Sequence, residues 1–443
     1  MDRFSISGRL VWTVILLAIA IGTLVVLNGI FGAACINDLQ GCLVDAGFTT
    51  GLAQFSSIFL GVVLVATFPL LVTILLIWVE RKFAARIQDR IGPNRVGPNG
   101  LLQPFADVVK LLGKENITPS GADKPIYNVA PPMMVASVLL IWAVIPLSPY
   151  HVGVDLEIGA LYFIAVASIG TLSVIMAAWA SNNKYALLGA FRVVAQLISY
   201  EVPLALSLLV PVMLAGSMSL VGIVEAQWGM WFVFMAPIAA FLFFISSQAE
   251  TGRAPFDLLE AESELVAGFN IEYSGMKFAM FFAGEFMHVF TNGVLMAVLF
   301  TGAWIGPGAM EAPLLAVGYL LAKAGFWYIL SLWVRNSLPR LRIDQLMNFN
   351  WRFLVPLSIL NLLVVAFLLR VVQELGLAPP PELRGDFVAN LPQTVVLFLG
   401  NLAIFGGVLA YFRNQGRQER LAGAGGEVEG QPPSATTAAA AGD

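Results

Sequence analysis

Ten stretches of roughly twenty or more mostly apolar residues run through this chain. They lie at about 10–34, 57–79, 131–150, 158–181, 202–224, 228–249, 277–306, 312–334, 353–371 and 391–412. A helix of that length crosses the ~30 Å hydrocarbon core of a bilayer, where its backbone groups must be satisfied internally. Away from their ends the stretches hold no Asp, Glu, Lys or Arg, except Glu285 in the seventh and Lys323 in the eighth. Asn390, Gln393 and Asn401 dilute the tenth. Only 12% of the 443 residues are charged, against about 25% in a soluble domain. A water-soluble fold is therefore excluded, and so is a nucleic-acid binder, which concentrates basic residues on one surface. The expected fold is all-α, a polytopic bundle of about ten spans with large cytoplasmic loops that carry amphipathic helices.

Orientation follows from the bias of Lys and Arg between alternate loops. If all ten stretches cross, every Lys and Arg lies on one side except Arg370, Arg384 and Lys323, which itself lies within a span. That basic side is the cytoplasm, and both termini are expected there. The first stretch follows Arg3 and Arg9 and precedes Ala33-Ala-Cys35. It is longer than a signal-peptide core and reads as a retained helix. Cys35 and Cys42 fall in the outer loop, where a local disulfide and two unpaired thiols are both open readings. Two Cys and two His are too few for protein-ligated iron–sulfur clusters, which take about four Cys each. The tail after residue 412, rich in Ala, Gly, Pro and Thr toward its end, is expected to be disordered.

The remaining polar residues are concentrated in the cytoplasmic loops. Gly92-Pro-Asn-Arg-Val-Gly-Pro-Asn-Gly100 contains two Gly-Pro-Asn turns, which impose a tight path because Pro fixes φ and Gly and Asn tolerate the left-handed region. After it, Leu101, Phe105, Val108 and Leu112 repeat at helical spacing, with Asp107, Lys110 and Lys114 on the other face. This amphipathic helix is either an ordinary surface helix or one wall of a cavity opening from the bilayer. Pro255 suits the first turn of a helix, on which Asp257, Glu260 and Glu264 would share a face while Glu262 points elsewhere. Arg253 is the nearby cation. Glu285 and Lys323 lie at depths where an ionisable residue costs about 3 kcal/mol or more and usually has a function. With Glu80, Glu201 and Glu250 at the cytoplasmic ends of other spans, these acids could form a carboxylate chain of the kind that relays protons. Glu285-Phe-Met-His288 has the spacing of a di-iron ligand pair, but no second copy exists. No metal site is expected.

At these residues a family becomes visible. Glu80-Arg-Lys82, Gly92-Pro-Asn-Arg-Val-Gly-Pro-Asn-Gly-Leu-Leu-Gln-Pro-Phe-Ala-Asp107, Ser181-Asn-Asn-Lys-Tyr-Ala-Leu-Leu-Gly-Ala-Phe-Arg192 and Ser199-Tyr-Glu201 resemble the H subunit of bacterial NADH:quinone oxidoreductase, respiratory complex I, itself similar to mitochondrial NADH dehydrogenase subunit 1. So do the run from Arg253 to Tyr273 and Arg342-Ile-Asp-Gln-Leu346. The resemblance covers about 57–372. It leaves an extra helix and outer loop in 1–56, another in 373–412 and a tail in 413–443. It implies a subunit with no redox centre, joining the redox arm to the membrane arm in the bacterial inner membrane. Its partners would be peripheral subunits carrying the terminal iron–sulfur cluster, small membrane-arm subunits, antiporter-like subunits and lipid, with FMN and NADH bound elsewhere and quinone as substrate. Glu80, Arg81, Asp107, Arg192 and Arg253 would line the quinone chamber or its interface. Glu201, Glu250, Asp257, Glu260, Glu262, Glu264, Glu285 and Lys323 would form the proton path. A subunit of a related energy-converting hydrogenase or ferredoxin:quinone enzyme, and a stand-alone ion or solute carrier, are the alternative readings.

Overall fold

The computed structural model describes residues 49–257, 268–380 and 385–429. The first predicted span, both cysteines, Glu260, Glu262, Glu264 and Arg384 lie outside these residues. The described chain is helical without strands. In order come α1 (Thr50–Ile87), α2 (Gln103–Gly113), α3 (Lys124–Trp142), α4 (Gly159–Ala180), α5 (Lys184–Ala215), α6 (Leu220–Glu225), α7 (Phe232–Met235) and α8 (Pro237–Glu250). Then follow α9 (Gly275–Phe300), α10 (Pro313–Ser337), α11 (Ile343–Phe349), α12 (Val355–Glu374) and α13 (Phe387–Glu429). Among the described residues, eight helical segments are long and apolar enough to cross a membrane, with α11 and α12 counted as one continuous segment.

Two expected spans take a different form. The sixth is broken: α7 ends at Met235, Ala236 leaves helical geometry at φ −136° and ψ 65°, and α8 begins at Pro237. Proline has no N–H to continue the ladder and its ring crowds the preceding turn. At fourteen residues, α8 is about 21 Å long and needs α7 to complete a crossing. The fifth starts early, because Asn183 caps α5 by accepting a hydrogen bond from the Tyr185 amide (2.9 Å) and good helix formers follow. Residues 184–201 are thus helix rather than loop, and Glu201 sits mid-helix. Glu80 also lies within a helix, several residues before the end of α1. Only Glu250 ends its helix. The last helix continues to Glu429, past residue 413 where the tail was expected to begin. Arg417, Gln418, Glu419 and Leu421 all favour helix.

Helix α9 is the centre of the bundle, packed between α3 and α10 and touching α1 and α8. Its second half, from Phe286 to Phe300, is buried throughout. In hydrocarbon the hydrophobic effect gives helices no reason to associate, so close packing and polar contacts between helices do. Trp142 donates to Thr291 Oγ1 (2.9 Å), Asn292 to Ser247 O (3.1 Å) and Gln227 to Val298 O (2.8 Å). The outermost helix, α13, is fastened in the same way, with Asn401 donating to Met235 O (3.2 Å). That carbonyl is at the break before Pro237, so Asn401, one of the polar residues that dilute the tenth span, has a structural use.

The Gly-Pro-Asn turns fold the chain back sharply. Gly100 adopts φ +77°, and a Cβ there would lie 2.3 Å from Pro93 O. In Gly100→Ala, backbone must move against backbone, whereas Gly113 has open space around it. Gly100→Ala is expected to destabilise this loop by about 2 kcal/mol or more. Limited proteolysis of the solubilised protein at Arg90 and Arg95 checks this: cleavage accelerates at least tenfold in Gly100→Ala and stays at the wild-type rate in Gly113→Ala.

Candidate functional site

Near the basic end of α1, four charged side chains meet inside the protein. Glu80 Oε1 accepts from Arg253 Nη1 (2.6 Å) and also from Arg335 of α10, while Tyr328 OH donates to Glu80 Oε2 (3.3 Å). Arg253 Nε lies 3.2 Å from Glu285 Oε1 of α9. Its guanidinium also stacks 4.2 Å from the centre of the Phe286 ring, a cation–π contact. Arg253 is 3% exposed and Glu80 7%, so these charges are largely removed from water. Two carboxylates and two guanidiniums cancel, the condition under which a buried ionic group is tolerable.

The turn that carries Arg253 is itself held. Gln196 of α5 donates to Ala249 O (2.7 Å) and Phe256 O (2.8 Å), bracketing it. The Leu341 amide donates to Pro255 O (3.0 Å). Pro255 therefore lies in a turn rather than in the first turn of a helix. Arg253, the cation nearest the acidic loop in sequence, pairs with Glu80 and Glu285.

Beside this cluster, α3, α4, α5, α8, α9 and the turn at Gly268–Asn270 line a partly open cavity of about 40 Å³, room for roughly three water molecules. Thr171, Glu250, Thr251, Asn270, Glu285 and His288 supply its polar lining, and Met134, Phe281 and Phe282 much of the apolar remainder. His288 Nε2 is 3.7 Å from Glu250 Oε1. Glu201 lies near Glu250, with Ser168 and Thr171 of α4 close by. Glu201, Glu250 and Glu285 are therefore brought to one region. The Gly268 turn sits against α5 because Gly189 has no side chain; a Cβ there would be 3.0 Å from the Gly268 backbone. Tyr273 closes the same side, stacked 4.2 Å from Tyr127. Burial, with the Tyr127 phenol nearby, pushes the Tyr273 phenol above its ordinary range. It stays neutral and directs its O–H toward Tyr127 O and Ala177 O (3.4 Å each).

Two further groups lie apart. Arg81 Nη1 bonds Asp107 Oδ2 at 2.5 Å, tying α1 to the polar face of α2. Leu101, Leu102, Phe105, Val108, Val109 and Leu112 are exposed. An apolar face left uncovered is unlike an ordinary water-facing surface helix and fits one that meets lipid or a partner. Arg192 is half-buried on α5, and Asp257 is half-buried just after the Arg253 turn. Lys323 donates to Gly302 O (3.2 Å) and Ile305 O (2.8 Å) and lies 4.8 Å from the Trp231 ring centre. Its ammonium is thus held at the opposite end of α9 from Glu285.

Sequence reasoning misses Arg335, Tyr328 and His288 as members of the site. Tyr328 and Arg335 stand seven residues apart, the spacing of one helix face, and that signal could have found them. The Glu285–His288 spacing reads in sequence only as a metal pattern. Among the described residues no group of three or more His, Cys, Asp and Glu is placed to hold a metal ion.

A family model described as NADH dehydrogenase matches residues 60–366. The chain belongs to this family. It is 45% identical over 331 residues to the NADH-quinone oxidoreductase H subunit of Dehalococcoides mccartyi strain CBDB1, covering 75% of this chain and 91% of that protein. It is 48% identical to an H subunit of the same name in Geobacter sulfurreducens (67% and 92% covered) and to that of Brevibacillus brevis (66% and 86%). Like other members of the NADH dehydrogenase family, it is a multi-pass membrane protein. The matched region runs from α1 into α12, and α13 lies outside it.

The neutrality of the buried cluster is testable. Glu80→Gln leaves two guanidiniums facing one carboxylate, and breaking a buried pair typically costs about 3–5 kcal/mol. Thermal unfolding of the purified assembly should occur at lower temperature in Glu80→Gln. The Glu80→Gln/Arg335→Gln double variant should regain part of the loss, because it restores charge balance. Additive losses in the double variant would show that the two residues do not act as a unit.

Proposed function

We propose that this chain is a membrane subunit of a proton-pumping NADH:quinone oxidoreductase, forming part of its quinone chamber and the acidic path that couples quinone reduction to proton movement. The observation that carries the reading is the convergence of Glu250 and Glu285 on one small cavity in an apolar bundle, with Glu201 close to Glu250. Ionisable groups are kept at that depth when protons or ions use them. The relatives, named as H subunits of NADH-quinone oxidoreductase, supply the reaction class and favour this reading over hydrogenase relatives or a solitary carrier.

In this reading the quinone is a substrate that approaches from the bilayer along the uncovered apolar face of α2. Arg81, paired with Asp107, fixes that helix against α1, while Glu80 and Arg253 join it to the buried cluster and Arg192 contributes from α5. NADH, FMN and the iron–sulfur clusters belong to partner subunits, with the terminal cluster beside the quinone headgroup. Quinone reduction takes up two electrons and two protons. Charge appearing at the headgroup shifts the balance of the Glu80–Arg253–Arg335–Glu285 cluster, and Glu285 passes that shift into the cavity. Glu250 and Glu201 continue the path, with Asp257, Glu260, Glu262 and Glu264 on the quinone side. Lys323 acts on the path from a distance. The Lys and Arg residues at the ends of α1, α9 and α10 support a cytoplasmic side there, and in this reading both chain termini lie on that side of the inner membrane. Small membrane-arm and antiporter-like subunits would receive the protons.

The experiment replaces Glu285 with Gln, and separately Glu262 with Gln, in the assembled complex in native membranes. Glu285→Gln is expected to lower NADH-driven quinone reduction and proton translocation about tenfold or more, with the assembly intact on a native gel. Unchanged rates in both variants would refute the path.

A further inference from the structure

His288 is buried at 9% exposure, and its Nε2 has no hydrogen-bond partner among the described residues. The same is true of Glu250 Oε2, whose carboxylate is the group nearest that ring nitrogen. Buried polar atoms left unmet cost about 1–3 kcal/mol each, and a cavity large enough for water lies against both. A water in that cavity would meet these atoms and bridge the 3.7 Å gap, as water does between polar groups too far apart for a direct bond. Glu285 lines the same cavity from one turn earlier on α9, because residues three apart share a helix face. The imidazole thus stands between two carboxyl groups of different elements. A packing role would be served as well by an apolar side chain.

We propose that His288 is the relay residue that carries a proton between Glu250 and Glu285. This rests on the reading of the region as a proton path and adds a member that the carboxylates alone do not supply. The Glu250 carboxylic acid gives its proton to Nε2 of the neutral ring, leaving a carboxylate beside an imidazolium. The imidazolium then releases one proton through the cavity water to the Glu285 carboxylate, and the ring returns to neutral. One proton moves, and the charge lost at Glu285 appears at Glu250. Neutral imidazole suits the step because one nitrogen accepts while the other donates. The charged and polar groups facing the ring region are Glu250 at the end of α8 with Glu201 of α5 behind it, Thr171 of α4, Asn292 one turn along α9, and Glu285 with Arg253 beyond.

The test uses the assembled complex in native membranes, with His288→Asn, which keeps polar atoms but cannot carry a proton. Turnover and proton translocation should fall about tenfold or more, with assembly and the KM for quinone unchanged. A redox-induced infrared difference spectrum of the wild-type complex, labelled with ¹⁵N-histidine, should contain an isotope-shifted imidazole band that is missing in His288→Asn. Wild-type rates in His288→Asn overturn the proposal. So does a wild-type spectrum without that band, even if the variant is slow or does not assemble. Glu285→Gln run in parallel separates the two readings: a slow Glu285→Gln beside an unaffected His288→Asn keeps the path and removes His288, while wild-type rates in both remove the path.

Discussion

Taking a charge out of water costs several kcal/mol unless an opposite charge and hydrogen bonds meet it, and this constraint organises the protein more than any apolar contact. Around Glu80 the two guanidiniums of Arg253 and Arg335 and the carboxylate of Glu285 come from the turn after α8, from α10 and from α9. Each group needs the others to remain buried. The cluster therefore fastens α1, α9 and α10 together where lipid would otherwise serve their apolar surfaces equally well. Gln196 and the Leu341 amide hold the turn that presents Arg253, so the geometry of the cluster reaches into α5 and the segment before α11.

A charge change at any member then has consequences beyond it. If Glu80 or Glu285 gained a proton, the guanidiniums would be left in excess, and the cheapest remedy is a new counter-charge nearby or a shift of the Arg253 turn. That would be the physical content of the proposed coupling between a quinone headgroup and the cavity. No continuous chain of moving parts is required, only a compact group whose neutrality is costly to break.

How much of this was legible in sequence depends on the range of the interaction. The spans were visible because a bilayer forces each crossing to be self-contained, so that apolar length alone marks it. The polar face of α2 was visible from the spacing of Asp107 and Lys110, and its uncovered apolar face from Phe105, Val108 and Leu112. The break at Ala236 was hidden, because the apolar composition runs unbroken across Pro237. Charge partners were hidden for a deeper reason. Arg253 meets Glu80 across 173 residues of sequence, while the acids beside it in sequence are the more obvious partners. Arg335 looks like one more basic loop residue, and His288 like half of a metal site, since neither Glu80 nor Glu250 is near in the chain.

The two ends of the proposed carboxylate path differ in kind. Glu285 stands against Arg253, so its charge is matched at close range. Glu250 and Glu201 face each other, hydroxyls, an amide and the His288 ring, a setting in which two full negative charges would be expensive. Lys323 does not even the balance. Its ammonium bonds Gly302 O and Ile305 O just beyond the end of α9, about seventeen residues, or roughly 25 Å, along that helix direction from Glu285. At an effective dielectric constant near 20, a unit charge at that distance is worth about 0.7 kcal/mol. That suffices to bias a proton's position and not to hand one over. A path with one matched and one unmatched end has a direction built into it. In the proposed path, a change at the matched end is what would call a proton across.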